Sequence, residues 1–150
     1  MIPFILAAMV LLSGGIDTLE RAALAAAIDR AIVVGGPFPG FSDRGTAALM
    51  VAVAYRESGF RNGALNVASE DHCAFQIHLP KGARTSAGWT GDDLRADVRK
   101  CAAVAYRMLR ASATVCPKFP VSPYARGVCK ATGWDTDRRR LAARVERGVP

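Results

Sequence analysis

The stretch "VAVAYRESGF", residues 51–60, decides the fold. It ends an apolar run, Ala47-Ala48-Leu49-Met50-Val51-Ala52-Val53-Ala54-Tyr55, whose only polar side-chain atom is the tyrosine hydroxyl. The run then passes at once into Arg56, Glu57 and Ser58. A helix apolar on every side is one buried all round at the centre of a domain. On a continuing helix Glu57 lies four residues after Val53 and seven after Met50, so the three share a face. A carboxyl held at the rim of a core has its pKa raised, because burial penalises the charged form. Glu57 is therefore either a solvated helix end or an acid placed for chemistry.

Working outward, Ser42 or Asp43 caps this helix, and "GGPFPGF" (35–41) reads as a loop. Before it, Asp17-Thr18-Leu19-Glu20 resembles a capping box opening the alanine-rich helix "LERAALAAAIDRAI", which runs to about Ile32. Residues 59–90 are punctuated by Gly59, Asn62-Gly63, Pro80, Gly82 and Gly88, leaving room for one or two short strands. Thr90-Gly91-Asp92-Asp93 opens an amphipathic helix. Its apolar stripe is Leu94, Val98, Cys101, Ala105 and Met108, opposite Arg95, Arg99, Lys100, Arg107 and Arg110. "CPKFPVSP" (116–123) is a second loop; a short helix is expected over "YARGVCKA" and a last one over "DTDRRRLAARVER". No repeat, low-complexity tract or long linker divides the chain.

At 150 residues, 51% hydrophobic and 22% charged, the sequence suits one globular domain with a substantial core. Twenty Lys plus Arg against thirteen Asp plus Glu give a net charge of +7. That balance favours a polyanionic partner, whether nucleic acid, anionic membrane or an anionic wall polymer. "MIPFILAAMVLLSGG" (1–15) reads as a signal peptide or a short N-terminal anchor, too short for an ordinary span, leaving 16–150 as the functional domain. It lacks a leading Lys or Arg, and the alternative is a segment packed on the domain. Cys73, Cys101, Cys116 and Cys129 are not in C-x-x-C pairs. An even count in an exported domain reads as two disulfides. Three connectivities are possible; Cys73–Cys101 with Cys116–Cys129 is favoured because it staples consecutive segments. Four reduced buried thiols are the alternative.

"ALMVAVAYRESGFRNGALN" followed by "CAFQIH" resembles the E-S-x-F and G-L-M-Q-I signature of lytic transglycosylases in the lysozyme-like superfamily. "YARG" (124–127) resembles the later Y-N-A-G motif of that family, and the resemblance spans roughly residues 40 to 130. It implies a mainly α, single lysozyme-like domain with a central buried helix and a small loop or β region. It also implies cleavage of the MurNAc–GlcNAc β-1,4 bond of peptidoglycan, with Glu57 as sole general acid and base. Gln76 would line the glycan groove, Tyr124 would brace the Glu57 carboxyl or the sugar, and Phe75 and Ser58 would flank the substrate. The departing sugar's own 6-hydroxyl would close a 1,6-anhydro ring, so no second carboxylate is needed. A hydrolytic lysozyme usually needs one; Glu70 and Asp71 are the candidates, although they read more simply as solvated loop charges.

The chain departs from the pattern at Cys73-Ala74-Phe75, at His78 and at Ala125-Arg126. His72 and His78 stand at no metal-ligand spacing, so neither a metal nor a cofactor is expected. Trp89 and Trp134 are either core residues or sugar platforms. The arginine-rich helix face is either solvated or a contact for anionic wall polymers. A non-catalytic wall-binding module and a basic nucleic-acid binder are the competing functions. The first has no use for Glu57, and the second lacks a recognition-helix motif, so no nucleic-acid partner is expected. An exported monomer acting on glycan strands, without a stable membrane span, is the resulting expectation.

Overall fold

Helix α3, Asp43–Ser58, runs through the middle of a computed structural model that describes residues 1–15 and 18–149. Ser42 caps it by accepting from the Gly45 N–H at 3.0 Å, and Gly59 ends it in the left-handed conformation that glycine adopts without strain. Every residue from Gly45 to Ala54 is buried. Such a helix must be covered on all sides, and four others do this or flank it. Helices α1 (Ile2–Ser13), α2 (Leu19–Gly35) and α7 (Gly133–Gly148) pack against α3, and α5 (Val98–Val115) packs against α2. Leu49, Met50, Val51 and Val53 are each at most 1% exposed, and burying each contributes about 1.5–3 kcal/mol.

The N-terminal stretch expected as a signal peptide or anchor is α1. Its face Phe4, Ile5, Ala8, Met9 and Leu12 is buried in the same core, and the Met1 amino group pairs with Asp29 of α2 at 3.4 Å. No helix among the described residues is long and apolar enough to cross a membrane. Thr18 caps α2, accepting from the Arg21 N–H at 3.2 Å; Asp17, which opened the expected capping box, lies outside the described residues, as does Ile16. The two expected disulfides are both formed, Cys73–Cys101 and Cys116–Cys129. Two such bonds fit an oxidising compartment.

The turn-rich region folds as three two-residue strands, β1 (Leu65–Asn66), β2 (Asp71–His72) and β3 (Ile77–His78), antiparallel in the order β1-β2-β3. Leu65 pairs with His72 and Asn66 with Asp71; on the other side Asp71 pairs with His78 and His72 with Ile77. The strands stay short because Glu70, Cys73 and Gln76 have φ values of 55°, 62° and 48°. Each turns the chain out of the extended region.

Three expected boundaries are corrected. The helix opened by Thr90 stops at Ala96 as α4 (Gly91–Ala96), and α5 restarts at Val98. At the joint Asp97 is extended, and its carboxylate caps the Arg99 N–H at 2.9 Å. The break shifts the apolar stripe, so Leu109 is buried and Met108 lies 37% exposed. The short helix α6, Ser122–Arg126, starts before the "YARG" segment, with Pro in its first turn, and stops at Gly127. Helix α7 begins two residues early because Thr132 caps it through the Asp135 N–H.

Candidate active site

Glu57 occupies the last turn of α3, directly beyond the buried run. Its side chain is 10% exposed, and its Oε1 accepts a hydrogen bond from Arg138 Nη2 at 3.0 Å. Arg138, itself 8% exposed, reaches over from α7, where the Trp134 ring one turn earlier lies 3.9 Å from the guanidinium carbon. Asp137 accepts from Arg138 Nη1 at 3.2 Å and from Arg56 Nη2 at 2.8 Å. Alternating charges Glu57, Arg138, Asp137 and Arg56 thus tie the end of α3 to α7.

Burial is the largest influence on the Glu57 carboxyl and raises its pKa above the ordinary value of 4.5. The charge and hydrogen bond of Arg138 offset part of that rise, and the negative charge of Asp71 adds to it. The outcome is an acid that keeps its proton to higher pH than a solvated glutamate, beside a fixed cation.

Tyr124, from α6, stands in the same field. Its phenol is pushed far above its usual value by burial first, then by the charges of Glu57 and Asp71. Its hydroxyl, however, donates to the Phe75 carbonyl at 2.6 Å. It therefore braces the segment before β3 rather than the Glu57 carboxyl. Gln76 is half-buried, and its Nε2 donates to the Cys73 carbonyl at 3.0 Å, closing the turn that its own left-handed backbone makes.

Two residues expected to flank a substrate lie inside the protein instead. Phe75 is 0% exposed, so only its carbonyl takes part, as acceptor for Tyr124. Ser58 is buried, with its hydroxyl donating to the Ala74 carbonyl at 2.9 Å and accepting from the Arg61 N–H at 3.0 Å. Both are consumed in fastening the end of α3 to the segment leading into β3.

The acidic pair of the β region separates because Glu70 closes the turn in a left-handed conformation and Asp71 opens β2. Glu70 accepts from the Lys81 N–H at 2.9 Å and, with His72 and Arg95, lines a concavity between the sheet and α4. Asp71 is oriented by the Ser69 hydroxyl and by His78 Nδ1 at 3.3 Å, and its charge reaches Glu57 and Tyr124. Asp71 is thus more than a solvated loop charge. Both histidines are engaged with protein groups: His72 Nε2 with the Leu79 carbonyl at 3.2 Å, His78 Nδ1 with the Ser69 carbonyl at 2.6 Å. Among the described residues no cluster of three or more His, Cys, Asp or Glu could hold a metal.

The chain matches no family model, no curated protein and no solved structure. What bears on function is therefore the motif resemblance and this geometry. The fold brings Glu57, Tyr124 and Asp71 within one electrostatic neighbourhood, and adds Arg138 and Trp134. Arg138 had no signal in the sequence, since it is one of three consecutive arginines 81 residues from its partner. Asp71 had one, as one of the two carboxylates between Glu57 and Gln76.

Proposed function

We propose that this protein is a peptidoglycan-cleaving enzyme that breaks the MurNAc–GlcNAc β-1,4 bond as a lytic transglycosylase, with Glu57 as general acid and base. One observation carries the reading: a carboxyl at the end of an apolar helix, nine-tenths buried and raised in pKa, sits within the sequence motif that resembles that family. Breaking a glycosidic bond requires a proton on the leaving oxygen, and so a carboxyl still protonated near the working pH. Glu57 would supply that proton and then take one from the 6-hydroxyl as it attacks the anomeric carbon. Gln76 and Tyr124 would shape the groove beside it. Export through an oxidising compartment accords with the two disulfides. The excess of basic side chains would favour anionic wall material.

The position of Asp71 favours a second reading, a hydrolytic lysozyme. A second carboxylate whose charge reaches the acid can orient a water in place of the sugar's hydroxyl. Mass spectrometry of muropeptides released from purified peptidoglycan separates the readings. Anhydro products, lighter than the reducing forms by one water and lost in Glu57→Gln, are the expected result. Reducing-end products lost in Asp71→Asn would make the protein a hydrolase. No products from several wall types would remove the enzyme reading and leave a wall-binding module.

A further inference from the structure

Arg138 poses a chemical puzzle, because a cation beside a general acid favours the form that has already lost its proton. We propose that Arg138 is a positioning residue that divides the Glu57 carboxyl between two tasks, holding Oε1 so that Oε2 alone carries, gives up and recovers the proton. This inference rests on the reading of Glu57 as acid and base.

A guanidinium has donors only. The oxygen facing Nη2 at 3.0 Å must accept, and a bare carbonyl oxygen accepts better than a hydroxyl oxygen, so a protonated Glu57 favours its hydrogen on the other oxygen. Oε2 has no hydrogen-bond partner among the described residues, yet it is not among the buried atoms left without one, which are Asn62 Oδ1 and Arg138 Nε. It therefore keeps some accessible surface, on a side chain 10% exposed, and is the oxygen left to meet a substrate.

The cation itself is clamped. Trp134 covers its face at 3.9 Å, Asp137 holds Nη1 at 3.2 Å, and the side chain is 8% exposed. Asp137 is held in turn by Arg56 of α3. The groups facing Glu57 are Arg138 from α7, Asp71 from β2 and Tyr124 from α6, and among them Arg138 is the only cation.

Its use lies in the second half of the reaction. The Oε2 proton passes to the glycosidic oxygen, which leaves with the electron pair of the broken carbon–oxygen bond. Glu57 is then a carboxylate in a desolvated place, a state that is costly without a counter-charge. Arg138 supplies that charge without moving. As the attacking hydroxyl, sugar or water, forms its bond to the anomeric carbon, its proton returns to Oε2 and restores the acid.

The test is Arg138→Met and Arg138→Gln beside Arg138→Lys. It is read by the titration of the 13C-labelled Glu57 side-chain carboxyl and by pH profiles of kcat and KM on purified peptidoglycan. In both neutral variants Glu57 should titrate about one pH unit or more above the wild type, as expected when a neighbouring arginine is lost. The kcat should fall about 10- to 100-fold with KM within about twofold, a fraction of what acid–base catalysis supplies. Lysine should restore most of the titration but little of the rate, because an ammonium does not hold one oxygen in a planar fork.

An unchanged titration and kcat in a folded neutral variant would overturn the role of Arg138. Should neither neutral variant fold, wild-type kcat in folded R138K would overturn it equally. A wild-type protein that cuts no wall refutes the functional reading instead, whatever its Glu57 titration. The two failures are thus distinguishable.

Discussion

Removing the Cys73–Cys101 bridge should be the most damaging single cut to stability that leaves the chain's packing pattern otherwise intact. The bond closes a loop of 28 residues between the β region and α5, whereas Cys116–Cys129 closes one of 13. Constraining the unfolded chain stabilises the fold by an amount that grows with the logarithm of loop length. That gives about 3.6 kcal/mol for the longer loop and ~2.9 kcal/mol for the shorter at 25 °C. Both sulfurs of the longer bridge are fully buried, so Cys73→Ala with Cys101→Ala adds a cavity loss of the same sign. With a urea slope of about 2 kcal/mol per molar, the unfolding midpoint should fall by roughly 1.8 M. Equilibrium unfolding in urea followed by the fluorescence of Trp89 and Trp134 reads this directly. The Cys116→Ala with Cys129→Ala variant serves as the internal comparison. A loss below about 1.5 kcal/mol, or a smaller loss than in the short-loop variant, would refute the loop-entropy reasoning. The same bridge anchors the segment whose carbonyls receive Gln76 and Tyr124, so its loss should also loosen the hold on those two side chains.

Two further predictions test local packing and electrostatics. A methyl group on Gly35 would clash with both Cε1 and the hydroxyl oxygen of Tyr106, whose hydroxyl donates to the Gly36 carbonyl and accepts from Arg110 Nη1 at 2.8 Å. Gly35→Ala should therefore cost about 1–3 kcal/mol by overpacking, read as a lowered Tm, and an unchanged Tm would show that the α2–α5 contact is loose. The Asp93 carboxyl is held at about 2 by the Thr90 N–H and hydroxyl and by Lys100. A depressed carboxyl stabilises α4 fully above its unfolded value near 3.8, and that contribution is lost as pH falls towards 2. Thr90→Ala should move the Asp93 titration back towards the ordinary range, and an NMR titration that stays at its wild-type position would contradict the capping account.

The sequence by itself determined the elements whose causes are local. An unbroken apolar run must be a central helix, and Ser42 and Thr90 cap because their hydroxyls reach orphan N–H groups, whereas the cysteine pairing was favoured among three and settled by the fold. Glu57 stood out for the same reason, as a charge at the edge of that run. Tertiary structure alone decided what the carboxyl meets. Arg138 reaches Glu57 only because α7 lies along α3, and no spacing of residues announces a contact across 81 positions. Likewise, left-handed turns at Glu70, Cys73 and Gln76 cut the strands to two residues. That folding sends Phe75 and Ser58 inward, where the ring leaves water and the hydroxyl pairs with the Ala74 carbonyl, and leaves Asp71 within the field of Glu57. Propensity and capping act over a few residues of chain, but the pKa of an acid is set by whatever charge and solvent the whole fold brings to it.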